Sequence, residues 1–233
     1  MAATQTIQES ASVLLRTLDG LGFCLSEDGD LLSQWRGYAA DAAGVSIGFS
    51  KDYLEHFART NQGQEKSGFF FQRVEYAPEI QGTLIEPAYR RIKDLLTEGA
   101  FVREKGSILA PRKDDDPRRD QEKLRDVISR LAMSMITILK NMFVLKNSAF
   151  REEREWRLIS YFLYGESDKC SFRALNNRIV PYRDFELLES GNGSIMELII
   201  GPKNTTPNYV IESFLKQRGF ANVTVSRSKA TYR

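Results

Sequence analysis

Two periods of apolar residues run through this chain, one of roughly 3.6 residues and one of two, and the switches between them outline its elements. Residues 5–20 place Val13, Leu14, Leu15 and Leu18 on one side of an expected helix, which Gly20 or Gly22 would end. A short strand is expected at Gly22–Ser26, followed by an acidic turn, Glu27-Asp28-Gly29-Asp30. Gly44–Phe49 alternates as a strand. Ser50 is placed to cap a helix over 51–60 with Tyr53, Leu54 and Phe57 on its apolar face. Gly68–Tyr76 reads as a third strand closed by Pro78.

Leu84, Ile85, Tyr89, Ile92, Leu95 and Leu96 predict a helix within residues 82–104. Residues 105–120 (KGSILAPRKDDDPRRD) carry two prolines and clustered charges of both signs, and read as a mobile loop. Residues 118–146 give the longest helix. Ile128, Leu131, Met133, Ile136, Leu139 and Met142 make it apolar on nearly every face, which predicts a buried central helix that Lys146-Asn147-Ser148 ends. A strand over 154–163 follows, and then a hairpin of 172–175 with 178–188 through Asn176-Asn177. Ser194–Ile200 is a strand broken at Gly201-Pro202, succeeded by a helix over 207–218, a stop at Gly219 and a last strand at Asn222–Ser226. Strand, helix, strand in that order is the pattern of a parallel crossover unit. The whole predicts an α+β class: one domain over 1–233, a mixed sheet packed around the long buried helix.

One stretch breaks these patterns. In Phe150-Arg151-Glu152-Glu153-Arg154-Glu155-Trp156-Arg157-Leu158-Ile159, an extended backbone puts Glu153, Glu155 and Arg157 on one face and Arg154, Trp156 and Leu158 on the other. Two carboxylates and a guanidinium on one face make either a salt-bridged ladder, worth under about 1 kcal/mol per exposed pair, or one wall of a polar site. Ser33-Gln34-Trp35-Arg36-Gly37-Tyr38 is the second such stretch. It mixes amide, hydroxyl, guanidinium and aromatic groups, and Trp35 and Tyr38, three apart, are expected on one helical face.

Composition narrows the chemistry. The 233 residues are 42% hydrophobic and 27% charged with a formal charge of +2, an ordinary globular profile that does not by itself indicate nucleic acid. No apolar run reaches the roughly 20 residues of a membrane span, and the N-terminus lacks the pattern of a signal peptide, so a cytoplasmic location is expected. Cys24 and Cys170 are the only cysteines and are expected as buried free thiols. His56 is the only histidine and is expected at the surface, so any catalysis rests on carboxylates, arginines, hydroxyls and amides, and no metal site is expected. Gly201–Thr206 before a helix reads as a capped turn or an anion site with Lys203, and Arg227, Lys229 and Arg233 as a small basic tail.

The blocks Ser26–Tyr38 (with "GDLLSQWRGY") and Gly44–Phe49 ("GVSIGF"), the "FxxExEWR" block at Phe150–Arg157, Glu197–Pro202 and Ser226–Ser228 together resemble a bacterial family of domains of unknown function. That likeness covers nearly all of the chain from about residue 22. It also implies a further N-terminal segment, rich in Tyr and basic residues, which this chain is expected to lack. The Glu153-x-Glu155 pair at a strand edge resembles the Glu-x-Glu signature of ADP-ribosyltransferases. This second resemblance implies an ADP-ribosyltransferase-like fold and NAD as substrate. In it Glu155 would favour an oxocarbenium-like transition state and Glu153 would orient the acceptor. Trp35 or Tyr38 would stack on nicotinamide, Arg36 would meet the pyrophosphate, and Ser33, Gln34 and Arg157 would complete the cofactor set. The acceptor macromolecule is open, and the setting would be a toxin or phage-defence effector. The alternative is a non-catalytic module that binds a nucleotide or a partner; a carboxylate-metal nuclease using Asp28 and Asp30 ranks behind both.

Overall fold

The computed structural model describes residue 12 and residues 18–60, 69–99, 117–163, 170–185 and 193–232. The elements in chain order are β1 (Leu18–Ser26), α1 (Leu32–Tyr38), β2 (Val45–Phe49), α2 (Lys51–Thr60), β3 (Phe69–Arg73), α3 (Pro78–Thr97) and α4 (Pro117–Met142). A 3-10 turn (Ser148–Glu153) follows, then β4 (Glu155–Leu163), β5 (Ser171–Leu175), β6 (Arg178–Tyr182), β7 (Ile195–Ile200), α5 (Asn208–Gln217) and β8 (Thr224–Arg227). Helices and mixed sheets together make the fold α+β, as expected. The chain divides into two compact units, one of Met1–Gly20, Glu75–Leu145 and Phe162–Asp168, the other of Leu21–Val74, Lys146–Tyr161 and Lys169–Arg233.

The larger unit holds two three-stranded sheets. In the first, ordered β1-β4-β3, β3 and β4 are antiparallel, with Phe71 opposite Leu158 and Arg73 opposite Trp156. One face is apolar because Phe69, Phe71 and Leu158 fall on alternate positions, and α2 covers it with Phe57 and Ala58. The Phe57 and Phe69 rings lie 5.1 Å apart, and burying side chains of this size contributes about 2 kcal/mol each. At the same face's other end the Trp156 indole stacks on Phe71 at 4.9 Å, and the Lys51 ammonium stands 4.5 Å above the Trp156 ring. Ser50 Oγ accepts from the Tyr53 N–H and so caps α2 as expected, while His56 is exposed.

The second sheet, ordered β2-β7-β8, pairs β2 antiparallel and β8 parallel to β7. The expected crossover through α5 is present. Leu198 and Ile200 of β7 and Leu215 of α5 are buried together, with Ile211, Phe220 and Val225 packed alongside. Gly219, at φ +86°, stops α5 in the left-handed region that glycine tolerates. The hairpin β5-β6 turns through Asn176 at φ 52°, also as expected.

The smaller unit is built on α3 and α4. Ala88 and Leu95 of α3 and Val127, Leu131, Ser134 and Leu139 of α4 are buried. The Asn141 amide donates to the Leu84 carbonyl at 2.7 Å, and Glu75 N–H to the Val144 carbonyl at 2.7 Å.

Four expectations are corrected. The α4 helix is amphipathic rather than enclosed all round: Ile128, Met133 and Met142 keep 47%, 61% and 55% of their surface exposed, because its buried positions form one stripe spaced by three to five residues. It begins at Pro117, inside the expected loop, and ends at Met142; residues 100–116 lie outside the described residues. Pro78 opens α3 at its first turn, where a missing N–H costs nothing, four residues ahead of the expected start. The strand β1 begins at Leu18, within the span read as helix; most of residues 1–17 lies outside the described residues. Gly20 therefore sits in a strand, and a Cβ there would meet the Phe143 ring at 2.7 Å.

Gly201 tests the second sheet. A Cβ on it would stand 2.4 Å from the Ala42 carbonyl oxygen and 2.8 Å from that of Gly44, both fixed backbone atoms. Gly201→Ala is expected to cost about 2 kcal/mol or more, read as a lower urea midpoint at unchanged slope.

Candidate functional site

The β4 strand starts at Glu155, and its first residues set the site. Asn147 caps the 3-10 turn before it by accepting from Ala149 N–H, and Arg154 closes that turn in the left-handed region at φ 42°. Glu153 thus belongs to the turn, ahead of the strand expected over 154–163, and the extended backbone that would put it on one face with Glu155 and Arg157 begins only at Glu155. The segment Ser26–Asp28 holds this bend in place. Ser26 Oγ donates to the Glu153 carbonyl at 2.8 Å, Glu27 N–H to the Arg154 carbonyl at 3.1 Å, and Arg154 Nη2 to Asp28 Oδ2 at 2.7 Å. The Trp156 indole N–H donates to Glu27 Oε1 at 2.7 Å.

Glu155 is buried, with 5% of its surface exposed. A desolvated carboxylate needs charge-assisted donors, and it has them. Arg157 grips it with both ends of its fork, Nε to Oε1 at 2.8 Å and Nη2 to Oε2 at 3.1 Å. Lys146 Nζ donates to Glu155 Oε2 at 2.9 Å and to Glu153 Oε2 at 2.5 Å, so the two carboxylates share one ammonium. Burial pushes the Glu155 pKa up, but hydrogen bonds from Arg157, Cys24 and Lys146 outweigh it and hold the group at about 2. The Lys146 and Arg157 pKa values are lowered by burial and raised more by these carboxylates, so both cations stay charged. Cys24 is free and exposed as a residue, yet its thiol is desolvated; burial first, then the hydrogen bond to Glu155 and its charge, push it to about 11. It is a protonated donor at neutral pH. The expectation of a buried Cys24 is corrected, and Cys170 is free and half-buried.

The Ser33–Tyr38 block forms α1 and separates its two aromatics. Trp35 is 2% exposed and donates its indole N–H to Asp30 Oδ1 at 2.7 Å, so its ring faces are closed to a ligand, while Tyr38 is 80% exposed. A seven-residue helix places side chains three apart about 300° around its axis, near one another; here the deep anchoring of Trp35 to Asp30 leaves Tyr38 outside. Asp30 also accepts from Ser228 Oγ at 2.5 Å and Lys229 N–H at 2.7 Å. Burial raises the Asp30 pKa, and the bonds from Ser228, Lys229 and Trp35 more than reverse this. Ser33 is exposed and Gln34 half-buried. Arg36 lies over the Tyr232 ring at 5.3 Å, beside a group in which Lys203 Nζ meets Asp41 Oδ2 at 2.6 Å and the Tyr232 hydroxyl donates to Asp41.

Three consecutive residues there, Ala40, Asp41 and Ala42, have φ of 47°, 53° and 70°. This conformation costs non-glycine residues about 1 kcal/mol or more each, and the turn after β7 holds it: Lys203 N–H donates to the Ala42 carbonyl at 3.0 Å and Asn204 Nδ2 to the Ala43 carbonyl at 2.9 Å. Of the two readings of Gly201–Thr206, the geometry is that of a turn closed on itself and on this loop. Thr206 N–H donates to Asn204 Oδ1, and the Arg227 guanidinium reaches the carbonyls of Asn204 and Thr206.

The structure thus brings Glu153, Glu155 and Arg157 together and sets Trp35 into a separate anchor. Asp28 and Asp30, the acids of the nuclease reading, turn to Arg154 and Trp35. Sequence reasoning missed Lys146, read only as a helix terminator, and Cys24; the signal available for Lys146 was a lone cation seven and nine residues ahead of the two glutamates.

Residues 34–158, more than half of the chain, match the family described as "Protein of unknown function (DUF2971)". The chain belongs to this family. No curated protein and no solved structure matches it significantly. The family match runs from Gln34 on α1 to Leu158 on β4, and so contains Lys146, Glu153, Glu155 and Arg157 whole, whereas Cys24 and Asp30 precede it. Among the described residues no helix is long and apolar enough to cross a membrane.

The depressed Glu155 pKa makes a pH prediction. A carboxylate lowered in the folded state adds stability that is present above its ordinary value of 4.5 and is lost as pH falls toward about 2. Glu155→Gln is expected to lower stability at pH 7 by up to about 3 kcal/mol, since it strands Arg157 and Lys146, and to flatten the decline between these two pH values in urea titrations.

Proposed function

We propose that the Glu155 centre is a glycosyl-transfer site of the NAD-using class, cleaving the bond between nicotinamide and ribose for transfer or hydrolysis. The observation that supports it is a carboxylate held ionised at about 2 in a desolvated position. Breaking a glycosidic bond to a cationic leaving group needs a negative charge beside the sugar carbon as positive charge develops there, and needs no acid, because pyridinium departs neutral. Glu155 is ionised at neutral pH, so in this reading it would supply that charge and not a proton. Glu153, on the turn beside it and joined through the same ammonium, would orient an acceptor hydroxyl or water. Arg157 fixes the Glu155 carboxylate in one orientation, a positioning role.

Of the two aromatics that the ADP-ribosyltransferase resemblance offers for stacking on nicotinamide, Trp35 is enclosed and Tyr38 exposed; Phe150, 49% exposed and 5.1 Å from the Lys146 ammonium, is a further candidate beside the Glu155 cluster. A toxin or phage-defence role is the biological setting this chemistry suits. The second reading is a non-catalytic binding module, favoured by one observation: Lys146, Arg157, Glu153 and Glu155 balance to zero charge, as an internal ion cluster would.

Purified protein incubated with NAD is expected to release nicotinamide, read by chromatography. Glu155→Gln, verified as folded by circular dichroism, is expected to lower the rate by at least about 100-fold. No nicotinamide release, alone or with candidate protein and nucleic-acid acceptors, would leave the module reading in its place.

A further inference from the structure

The cation between the two glutamates belongs to the chain itself, and its surroundings distinguish it from the other cation of the cluster. Arg157 is bound through a planar two-point fork and lies within a paired strand opposite Gln72. Such a guanidinium is preorganised for a planar carboxylate, and removing it would break a two-point ion pair within the strand. Lys146 is a point charge on a flexible four-carbon stem in the connection between α4 and the 3-10 turn. Its side chain is also the most exposed of the four, at 22% against 15% for Glu153, 7% for Glu155 and 19% for Arg157.

The wall beside that ammonium is aromatic, with the Phe150 ring centred 5.1 Å from Nζ. Two carboxylates and the face of an aromatic ring are the elements of a receptor for an organic cation: the carboxylates supply charge, and the ring accepts a weakly hydrated cation that water solvates poorly. An inorganic dication is the poorer match, because a ring face offers it no oxygen ligand.

We propose that Lys146 is a tethered occupant of an organic-cation site formed by Glu153, Glu155 and Phe150, and that a flat monocation such as a pyridinium displaces it. Charge supports a monocation. With the lysine withdrawn, Glu153, Glu155 and Arg157 sum to one negative charge, which one positive charge on the ligand neutralises. The lysine then acts as a brake: any cationic ligand binds only to the fraction of molecules in which the ammonium has left, so its affinity is reduced by that fraction. The ammonium also steadies the resting site, since Glu153 and Glu155 would repel each other more strongly with Arg157 as their one remaining cation.

The identification of pyridinium as the cation rests on the NAD reading above, and the experiment separates the two. 1-Methylnicotinamide, methylated on the ring nitrogen and so a pyridinium cation that cannot be cleaved as NAD is, serves as the probe in calorimetric titrations at low salt. Lys146→Ala is expected to bind it at least tenfold more tightly than the unmodified chain. Adding Glu153→Gln to Lys146→Ala is expected to reverse most of that gain. Lys146→Met, which keeps the stem and removes only the charge, covers the case in which the alanine variant fails to fold, and is expected to give a gain of the same sign. Equal affinity in the folded variant and the unmodified chain would overturn the proposal. So would loss of folding in both variants, since a group that must leave for the ligand cannot be indispensable to the fold. A tenfold gain without NAD cleavage would sustain the cation site and remove the glycosyl-transfer reading; NAD cleavage sensitive to Glu155→Gln without any gain would do the reverse.

Discussion

A carboxylate withdrawn from water is the constraint on which the larger unit's first sheet depends. Glu155 opens β4 at a position the sheet and its surroundings bury, and an ionised group there is tolerable only with donors of matching charge. Their positions follow from that need. Arg157 arrives two residues along the same strand, Cys24 from β1, and Lys146 from the connection that leads out of α4. The left-handed Arg154 lets Glu153 turn toward the same ammonium, and the acidic turn after β1 fixes that bend through Ser26, Glu27 and Asp28. The same four side chains would serve a site or a structural ion cluster, so their geometry is common to both readings.

Much of the fold was legible because local periodicity decided it. The alternation of Val45–Phe49 and Ile195–Ile200, the apolar face of Lys51–Thr60, the Asn176 turn and the Gly219 stop each reflect forces acting over a few residues. The faces of α4 were not legible in this way. Its methionines and isoleucines satisfy a count of apolar residues, but which of them are covered depends on where α3 lies, and Met133 faces outward. Gly20 was misread for a related reason: a glycine ends helices in general, and the Phe143 ring that leaves no room for a Cβ at this one is distant in sequence.

The candidate site divides along the same line. The spacing of Glu155 and Arg157 put them on one face, and they are joined by two hydrogen bonds. The expected partnership with Trp35 was not legible, since the indole is claimed by Asp30, five residues away, and Asp30 by Ser228 and Lys229. Nothing local in the sequence announces a bond between residues 30 and 228. Lys146 escaped notice because a lysine after an apolar run reads equally well as a helix end or as a solvated surface charge.

That long-range bond has a consequence for how the molecule is made. Asp30 and Ser228 are 198 residues apart in sequence, and at roughly 5–20 residues per second a ribosome takes about ten seconds or more to travel that far. Throughout that interval the aspartate lacks Ser228 and Lys229, and for most of it β2 lacks its neighbour β7 and the left-handed loop at Ala40–Ala42 lacks the turn at 203–204 that braces it. The first third of this sheet must wait, incompletely ordered, for the last. Folding of the larger unit is thus completed from its C-terminal end, and the exposed apolar edge of β2 is the surface that needs guarding in a growing chain.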